Sequence, residues 1–128
     1  MQKLTATIDN VIFTIRDNEL HVLMVRRATS PFVGQWALPG GAVDTDKDAD
    51  SKSAASRILK LKTGLNISYL EQLKTYMGNF DPRGYTVSVA HFALTRDADL
   101  LPKVDSVHEA KWVPVSMLKD LQIAFIHE

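Results

Sequence analysis

The sequence predicts an α+β domain in which a mixed β-sheet packs against helices. Segments with β-strand character outnumber helical segments, and one helical segment lies between β segments. A length of 128 residues suits one domain with a single core. The composition, 45% hydrophobic and 23% charged, is that of an ordinary globular domain. These observations favour a single domain over residues 1–128.

The first third of the chain predicts a β-hairpin and a short strand. Residues 4–15 and 19–28 are rich in β-branched and apolar residues, and the Asp-Asn pair between them is a favoured turn. A loop, TSPFVGQ (29–35), follows this hairpin. The next segment, WALPGG (36–41), predicts a short strand that its proline and two glycines bring to an end.

A helix is predicted in the middle of the chain, after the acidic loop AVDTDKDAD (42–50). Asp48 or Asp50 is expected to cap its first turn, because an aspartate side chain can accept a hydrogen bond from the free N–H groups there. The helix is expected to run to about residue 63. Gly64 then occupies the position where glycine commonly ends a helix.

The second half of the chain predicts three further strands and a final short helix. The strands are Ser68–Met77, residues 86–94 and residues 108–115, with a turn over residues 78–84. Ser116 is expected to cap the short helix MLKDL.

Composition excludes several classes of function. Fifteen basic and fifteen acidic residues cancel, so no overall field favours nucleic-acid binding by this chain alone. The chain has no cysteine, which excludes disulfides, thiolate catalysis and cysteine-ligated zinc, and its four histidines lack zinc-site spacing. No apolar run approaches the ~18 residues of a membrane span, and MQKLTATID lacks the layout of a signal peptide. A cytoplasmic location is therefore expected.

One lysine interrupts the apolar face of the predicted helix. At about 100° per residue, the apolar side chains fall on one arc: Ala54, Ala55, Ile58, Leu59 and Leu61. Lys62 falls in the middle of this arc. Either its stem packs on neighbours and its head reaches water near the helix end, or the arc faces a pocket in which Lys62 meets an anionic ligand. The sequence leaves both readings open.

Together, LPGG (38–41), the helix and TGL (63–65) resemble the Nudix family. The Nudix signature is a glycine, an acidic residue and then Arg-Glu-aliphatic-x-Glu-Glu-x-Gly-aliphatic, and five positions match it: Gly41, Arg57, Leu59, Gly64 and Leu65. The acidic positions do not match. They hold Ala49, Ile58, Leu61 and Lys62, and the loop is two residues longer than usual. The resemblance implies an α/β/α sandwich of Nudix type with a mixed β-sheet.

Longer segments narrow the resemblance. TIDNVIFTI, VRRATSPFVGQWALPGG and DPRGYTVSVAHFAL are similar to Nudix-related regulators of NAD metabolism of the NrtR type. That subgroup implies an N-terminal Nudix-like domain that senses ADP-ribose or a related nucleotide. A winged-helix domain would follow beyond residue 128 and would make any contact with DNA. The family also implies a homodimer, and the lack of a long apolar run predicts no contact with membranes.

The missing carboxylates predict a domain that binds without catalysis. Mg²⁺ requires hard oxygen ligands, whereas Ile58 and Leu61 offer no lone pairs and the Lys62 ammonium repels a metal ion. We therefore predict no catalytic residue, no metal ligand and no required cofactor. The alternative is a Mg²⁺-dependent Nudix pyrophosphohydrolase that uses the aspartates of loop 42–50, for which the plainer interpretation is a solvated loop with a helix cap. A third reading is an interaction domain whose old cleft is filled by apolar side chains.

Without a metal ion, a diphosphate needs cations and close backbone N–H groups. The predicted ligand-binding set is Arg26, Arg27, Phe32, Trp36, Gly40, Gly41, Arg57, Lys62 and Arg83. Arg26 and Arg27 alternate along a strand, so at most one of them is expected to reach the pocket. For Arg57 the alternative to ligand binding is a packing role. For Arg83 it is a turn residue exposed to water.

Aromatic side chains are candidates for stacking on a nucleobase. Phe32 and Trp36 belong to the predicted set, with a structural role as the plainer interpretation of Trp36. The further candidates are Tyr76, Phe80 and Tyr85. His91 shares a strand face with apolar residues and is interpreted as a core histidine.

Overall fold

In the computed structural model, residues 3–30, 32–82, 84–96, 99–102 and 106–120 are described. Within these residues the chain forms seven strands, one α-helix and one 3₁₀ helix. The strands are β1 (Thr5–Arg16), β2 (Glu19–Arg27), β3 (Trp36–Ala37), β4 (Gly40–Ala42), β5 (Glu71–Asp81), β6 (Gly84–Leu94) and β7 (Val107–Pro114). The helices are α1 (Ser51–Thr63) and the 3₁₀ helix Val115–Asp120. Neither helix combines the length and the apolar character that a membrane crossing requires.

The strands form a mixed sheet, as predicted. Its main order is β3-β2-β1-β6-β5, with β4 paired to β1 and β7 paired to β2. β1 and β6 are parallel, whereas the other described pairs are antiparallel. The predicted β1–β2 hairpin is confirmed, and Asp17 and Asn18 both have positive φ angles, of 52° and 62°. Such angles suit a two-residue hairpin turn.

Helix α1 begins and ends close to the predicted positions. Of the two candidate caps, Asp50 is the one that acts, because its Oδ1 accepts a hydrogen bond of 2.8 Å from the backbone N–H of Ser53. Gly64 adopts a left-handed conformation with φ of 82°, and its N–H donates to the Lys60 carbonyl at 2.9 Å. Both ends therefore follow from local signals in the sequence.

The sheet lies between α1 and the 3₁₀ helix. On one face the core consists of buried side chains from the sheet and from α1, including Ile8, Ile12, Leu23, Ala54, Ala55, Ile58 and Leu59. On the other face Val22, Met24 and Val113 are buried beneath partly buried side chains that include Leu118 of the 3₁₀ helix. Helical segments on both faces agree with the layered fold that the resemblance implies.

One position of the predicted helix arc is wrong. Leu61 is 36% exposed instead of buried. Thr63 is fully buried in the same turn, and its hydroxyl donates a hydrogen bond of 2.7 Å to the Leu59 carbonyl. The last turn of α1 therefore buries a satisfied hydroxyl where an apolar side chain was expected.

Segment 36–41 is two short strands rather than one. β3 pairs with β2, and β4 pairs with β1 through Ile8 opposite Gly41 and Asp9 opposite Gly40. The backbone N–H and the side-chain amide of Asn10 both donate to the Pro39 carbonyl, at 3.0 and 3.1 Å. The glycines thus belong to a strand instead of terminating one.

Other predicted boundaries also shift. β5 begins at Glu71 rather than at Ser68. The turn expected over residues 78–84 is shorter, because β5 continues to Asp81, which pairs with Gly84 at the start of β6. The last helix is a 3₁₀ helix that begins at Val115, so Ser116 lies inside it rather than at its cap. Residue 121, the end of the predicted MLKDL helix, lies outside the described residues.

Candidate functional site

A cavity of about 1040 Å³ lies on the face of the sheet opposite the main body of α1. One part of its wall is apolar and contains Val11, Phe13, Val22, Met24, Leu38 and Leu118, which also pack together. Another part is polar and contains Thr7, Asp9, Gly40, Gly41, Lys62 and Ser88. The strand pairing of β1 with β4 and β6 brings this polar part together. The cavity therefore offers both apolar surface and hydrogen-bonding groups to one ligand.

Lys62 reaches from the last turn of α1 to the polar part of the wall. Its ammonium group donates a hydrogen bond to the Gly40 carbonyl. Its Nζ also lies 3.7 Å from the point where a Cβ on Gly41 would stand, and the Ile58 side chain lies 3.5 Å from the same point. Lys62 therefore lines the cavity while most of its arc packs in the core, and its contact with an anionic ligand stays a prediction.

Gly40 stands between Lys62 and a carboxylate. A Cβ at Gly40 would overlap the Asp9 carboxylate and would lie 2.5 Å from the Ile8 carbonyl, so only glycine fits at this position. The other oxygen of Asp9 accepts a hydrogen bond of 2.6 Å from the Ser88 hydroxyl. A cation and a hydrogen-bonded carboxylate thus flank the same glycine.

Several wall residues were missed from the sequence. Asp9 and Ser88 belong to strands whose alternate side chains face the cavity, and Asp81 is a buried carboxylate at the end of β5. Tyr76, a further aromatic candidate, lies on the wall and is 42% exposed, with the Lys74 ammonium 5.2 Å from its ring centre. An acidic residue within the largely apolar strand TIDNVIFTI was the signal that could have identified Asp9.

The predicted ligand-binding residues are divided by the structure. Those on the cavity wall are Arg27, Gly40, Gly41 and Lys62. Those outside the described wall are Arg26, Phe32, Trp36 and Arg57. Arg83 lies outside the described residues, as does the Phe80 side chain. Ligand contact by any of these residues stays a prediction.

The two neighbouring arginines do point differently. Arg26 is exposed, donates to the Gly34 carbonyl at 3.3 Å and lies 3.7 Å from the Glu109 carboxylate. Arg27 is half-buried and donates to the Ser30 carbonyl at 3.4 Å. Their alternation leaves Arg27 as the one on the cavity wall.

The aromatic candidates have mostly structural surroundings. Trp36 packs beside the Val22 and Met24 core, and the Lys111 ammonium lies 4.9 Å from its ring centre. Phe32 has a positive φ of 64° in the loop before β3. Tyr85 is 44% exposed and is not among the wall residues. His91 is a buried core residue, as expected, and its Nε2 lies 3.4 Å from the Ser51 hydroxyl.

The interpretation of loop 42–50 as solvated is wrong at Asp48. Its two oxygens accept hydrogen bonds of 2.7 and 2.8 Å from the Arg57 guanidinium, and its side chain is only 1% exposed. These bonds from Arg57 hold the pKa of the Asp48 carboxyl below its usual value, and the pKa of Arg57 is raised in turn. Arg57 also donates to the Ala42 carbonyl at 3.2 Å. The pair fastens the loop after β4 to α1.

The residues present do not fit the Mg²⁺ ion that the Nudix resemblance implies. Ile58 is buried and packs under Gly41, Leu61 is partly exposed, and Lys62 places a positive charge beside β4. Among the described residues, no group of three or more Asp, Glu or His side chains is arranged to hold a metal ion. Asp48 and Asp50, two of the four loop aspartates of the hydrolase alternative, are engaged by Arg57 and by the helix N-terminus.

Comparison with known proteins identifies relatives. Residues 7–128 match the family model of the NUDIX domain. The chain is 36% identical over 123 residues to the ADPR-responsive transcriptional repressor NtrR of Acinetobacter baylyi, which covers 94% of this chain and 49% of the relative. It is 32% identical over 118 residues to an ADP-ribose pyrophosphatase of Methanocaldococcus jannaschii, which covers 88% of this chain and 63% of the relative.

A solved structure has nearly the same backbone. The NUDIX domain of Shewanella oneidensis NrtR, in complex with ADP ribose, matches with a TM-score of 0.95 at 36% identity, over 99% of this chain and 83% of that chain. The chain thus spans about half the length of the Acinetobacter relative and less than two thirds of the Methanocaldococcus relative.

Proposed function

This chain belongs to the Nudix family, and we propose that it is a non-catalytic domain that binds an ADP-ribose-type nucleotide as the sensor of a transcriptional regulator. The observation that carries the proposal is the cavity itself. It keeps a polar region around Gly40 and Gly41 and an apolar region beside it, while the positions for metal-binding carboxylates hold Ile58, Leu61 and Lys62. A pocket that can bind but lacks metal ligands suits a sensor.

The relatives support the choice of ligand. The Acinetobacter protein is described as ADPR-responsive, and the Shewanella domain was solved with ADP ribose. Two chemical features of ADP-ribose match the cavity: an adenine that needs apolar contact and a diphosphate that needs cations and backbone donors. In this proposal the adenine lies against the apolar wall and the diphosphate lies near β4.

The charge of the wall favours a diphosphate over a triphosphate. The described wall carries the cations Arg27, Lys62 and Lys119 and the carboxylates Asp9 and Asp81. A bridging diphosphate carries two negative charges, whereas a nucleoside triphosphate carries about four and would leave more charge unpaired beside the carboxylates. The carboxylates instead suit hydroxyl donors, such as those of a ribose.

For the whole protein we propose the organisation of the repressor relatives. Residues 1–128 would form the sensor domain, and a separate winged-helix domain would contact DNA in the cytoplasm. A homodimer is part of this proposal, because the Nudix resemblance implies one. No cofactor is required for binding.

Isothermal titration with ADP-ribose in the presence of EDTA tests the sensor function. We expect saturable binding without a metal ion and no consumption of the ligand. Absence of binding at millimolar ADP-ribose, with and without Mg²⁺, would refute the ligand assignment.

The second candidate is a pyrophosphohydrolase that uses Mg²⁺, and two observations favour it. One relative is an ADP-ribose pyrophosphatase, and two carboxylates, Asp9 and Asp81, line the cavity. A turnover assay with Mg²⁺ or Mn²⁺ over ADP-ribose, NADH and nucleoside triphosphates separates the two functions. Product formation that Asp9→Asn abolishes would establish the enzyme and overturn the sensor proposal.

A further inference from the structure

We propose that the Lys62 ammonium takes the place of the divalent metal ion as the positive charge that holds the ligand's diphosphate. This inference rests on the proposed function and specifies how the same cavity binds its ligand. Its consequence is that binding needs no metal ion and that Mg²⁺ does not strengthen it.

The position of Lys62 on α1 is the first support. Lys62 follows Ile58 by four residues, so the two side chains lie on the same face of the helix and both face β4. Both occupy positions that are glutamates in the Nudix signature. At position 62 a lysine therefore stands where the signature has a glutamate, so the charge has the opposite sign on the same helical backbone.

The surroundings of the ammonium group are the second support. Lys62 is half-buried on the cavity wall, where a charge interacts more strongly than in water. It donates to the Gly40 carbonyl, and an ammonium group carries three donors, so it can hold a carbonyl and a phosphate oxygen together. The Gly40 bond fixes the lysine beside the two glycines of β4.

Asp9 limits where the diphosphate can lie. Its carboxylate flanks Gly40, where it is held by Ser88, and it repels a phosphate group. The diphosphate therefore lies toward Lys62 and Gly41, away from the Asp9 carboxylate. In a Lys62→Glu variant two carboxylates would flank Gly40, an arrangement that attracts Mg²⁺ instead of repelling it.

The experiment compares two lysines of the same helix. Wild type, Lys62→Gln, Lys62→Glu and Lys60→Gln are titrated calorimetrically with ADP-ribose and separately with inorganic pyrophosphate, each in EDTA and in Mg²⁺. Lys60 is an exposed residue of α1 outside the cavity wall, so Lys60→Gln removes the same charge from the same helix. Thermal unfolding of each variant verifies that it folds.

In EDTA we expect Lys62→Gln to weaken binding of both probes about tenfold or more, the scale of a charged hydrogen bond, and Lys60→Gln to change it less than twofold. Mg²⁺ should leave the affinity of the wild type for both probes unchanged or should reduce it. In Lys62→Glu, Mg²⁺ should strengthen the binding of both probes. This reversal of the metal effect is a readout that a purely structural role of Lys62 would not produce.

The outcomes separate this inference from the proposed function. Tight binding of ADP-ribose to wild type that Lys62→Gln leaves intact, or that requires Mg²⁺, would overturn the role of Lys62 while the sensor function stands. Pyrophosphate binding that depends on Lys62 without any ADP-ribose binding would support the role of Lys62 and overturn the choice of ligand. Since the metal dependence is measured on wild type, a variant that fails to fold does not remove the test.

Discussion

Replacing Asp48 by asparagine should destabilise the fold, because it removes the charge from a partly buried ion pair. The Asp48 side chain is 1% exposed and the Arg57 side chain is 26% exposed, with two hydrogen bonds of 2.7 and 2.8 Å between them. Removing one partner of a fully buried pair costs about 3–5 kcal/mol, and partial exposure of the other partner lowers this cost. Asparagine keeps one oxygen that can accept a hydrogen bond, so we expect Asp48→Asn to lower the free energy of unfolding by about 2 kcal/mol.

Urea unfolding at pH 7 measures this cost, and Asp46→Asn is the matched control. Asp46 is an exposed aspartate of the same loop, and its replacement should change the free energy of unfolding by less than about 0.5 kcal/mol. A double-mutant cycle with Arg57→Met isolates the pair. We expect a coupling energy of about 1.5–2 kcal/mol. Once one member of the pair is replaced, replacing the other no longer breaks the interaction and costs correspondingly less.

The pH dependence gives an independent check with a definite sign. The pKa of Asp48 in the folded protein lies below its ordinary value of 3.8, because Arg57 stabilises the carboxylate. As the pH falls below 3.8, the unfolded chain therefore binds a proton before the folded one, and the stability contributed by the pair is lost. Asp48→Asn should flatten the acid limb of the stability curve. Equal stability losses in Asp48→Asn and Asp46→Asn, or additive effects in the cycle, would refute the reasoning.

Three further predictions concern the cavity wall and the core. Gly40→Ala should lower the free energy of unfolding by about 1–3 kcal/mol and abolish ligand binding, since the new methyl group would stand 2.5 Å from the Ile8 carbonyl. Gly41→Ala, whose methyl would make ordinary contacts of 3.5 Å, is the control and should be stable. Asn10→Ala should cost about 2 kcal/mol in urea unfolding, because a fully buried side chain that donates two hydrogen bonds is lost. Burial lowers the pKa of His91, so below about pH 6.5 the unfolded chain takes up a proton before the folded one and the free energy of unfolding falls. His91→Gln should flatten this dependence of stability on pH, and an unchanged dependence would contradict the role given to His91.

Local signals explain why much of the fold could be predicted from the sequence. The Asp50 cap, the Gly64 stop and the turn at Asp17 act within a few residues of their own position, so a single sequence contains them. The pairing of β1 with β6 joins residues about 80 positions apart, as between Thr7 and Ser88. Such pairing depends on the packing of the whole chain, and no short segment encodes it.

In the candidate site too, some residues are marked by local sequence features and others are brought together only by the fold. Lys62 was identified because a charge interrupts an apolar helix face, which is a local feature. Ser88 became visible only through the register that sets it beside Asp9. For Arg57 the sequence offered ligand binding or packing, whereas its ion-pair partner Asp48 lies across a loop whose path the sequence does not specify.

The Asp48–Arg57 pair shows how an arginine of the Nudix signature is satisfied when the signature glutamates are absent. In the Nudix signature the arginine at position 57 stands beside glutamates, and here those positions carry no negative charge. A partly buried guanidinium still needs an acceptor, because an unpaired charge in such a place is costly. The loop that is two residues longer than the Nudix pattern supplies this acceptor from Asp48, and the same guanidinium binds the Ala42 carbonyl at the end of β4. Since β4 carries Gly40 and Gly41, the pair links the longer loop and α1 to the strand that lines the cavity.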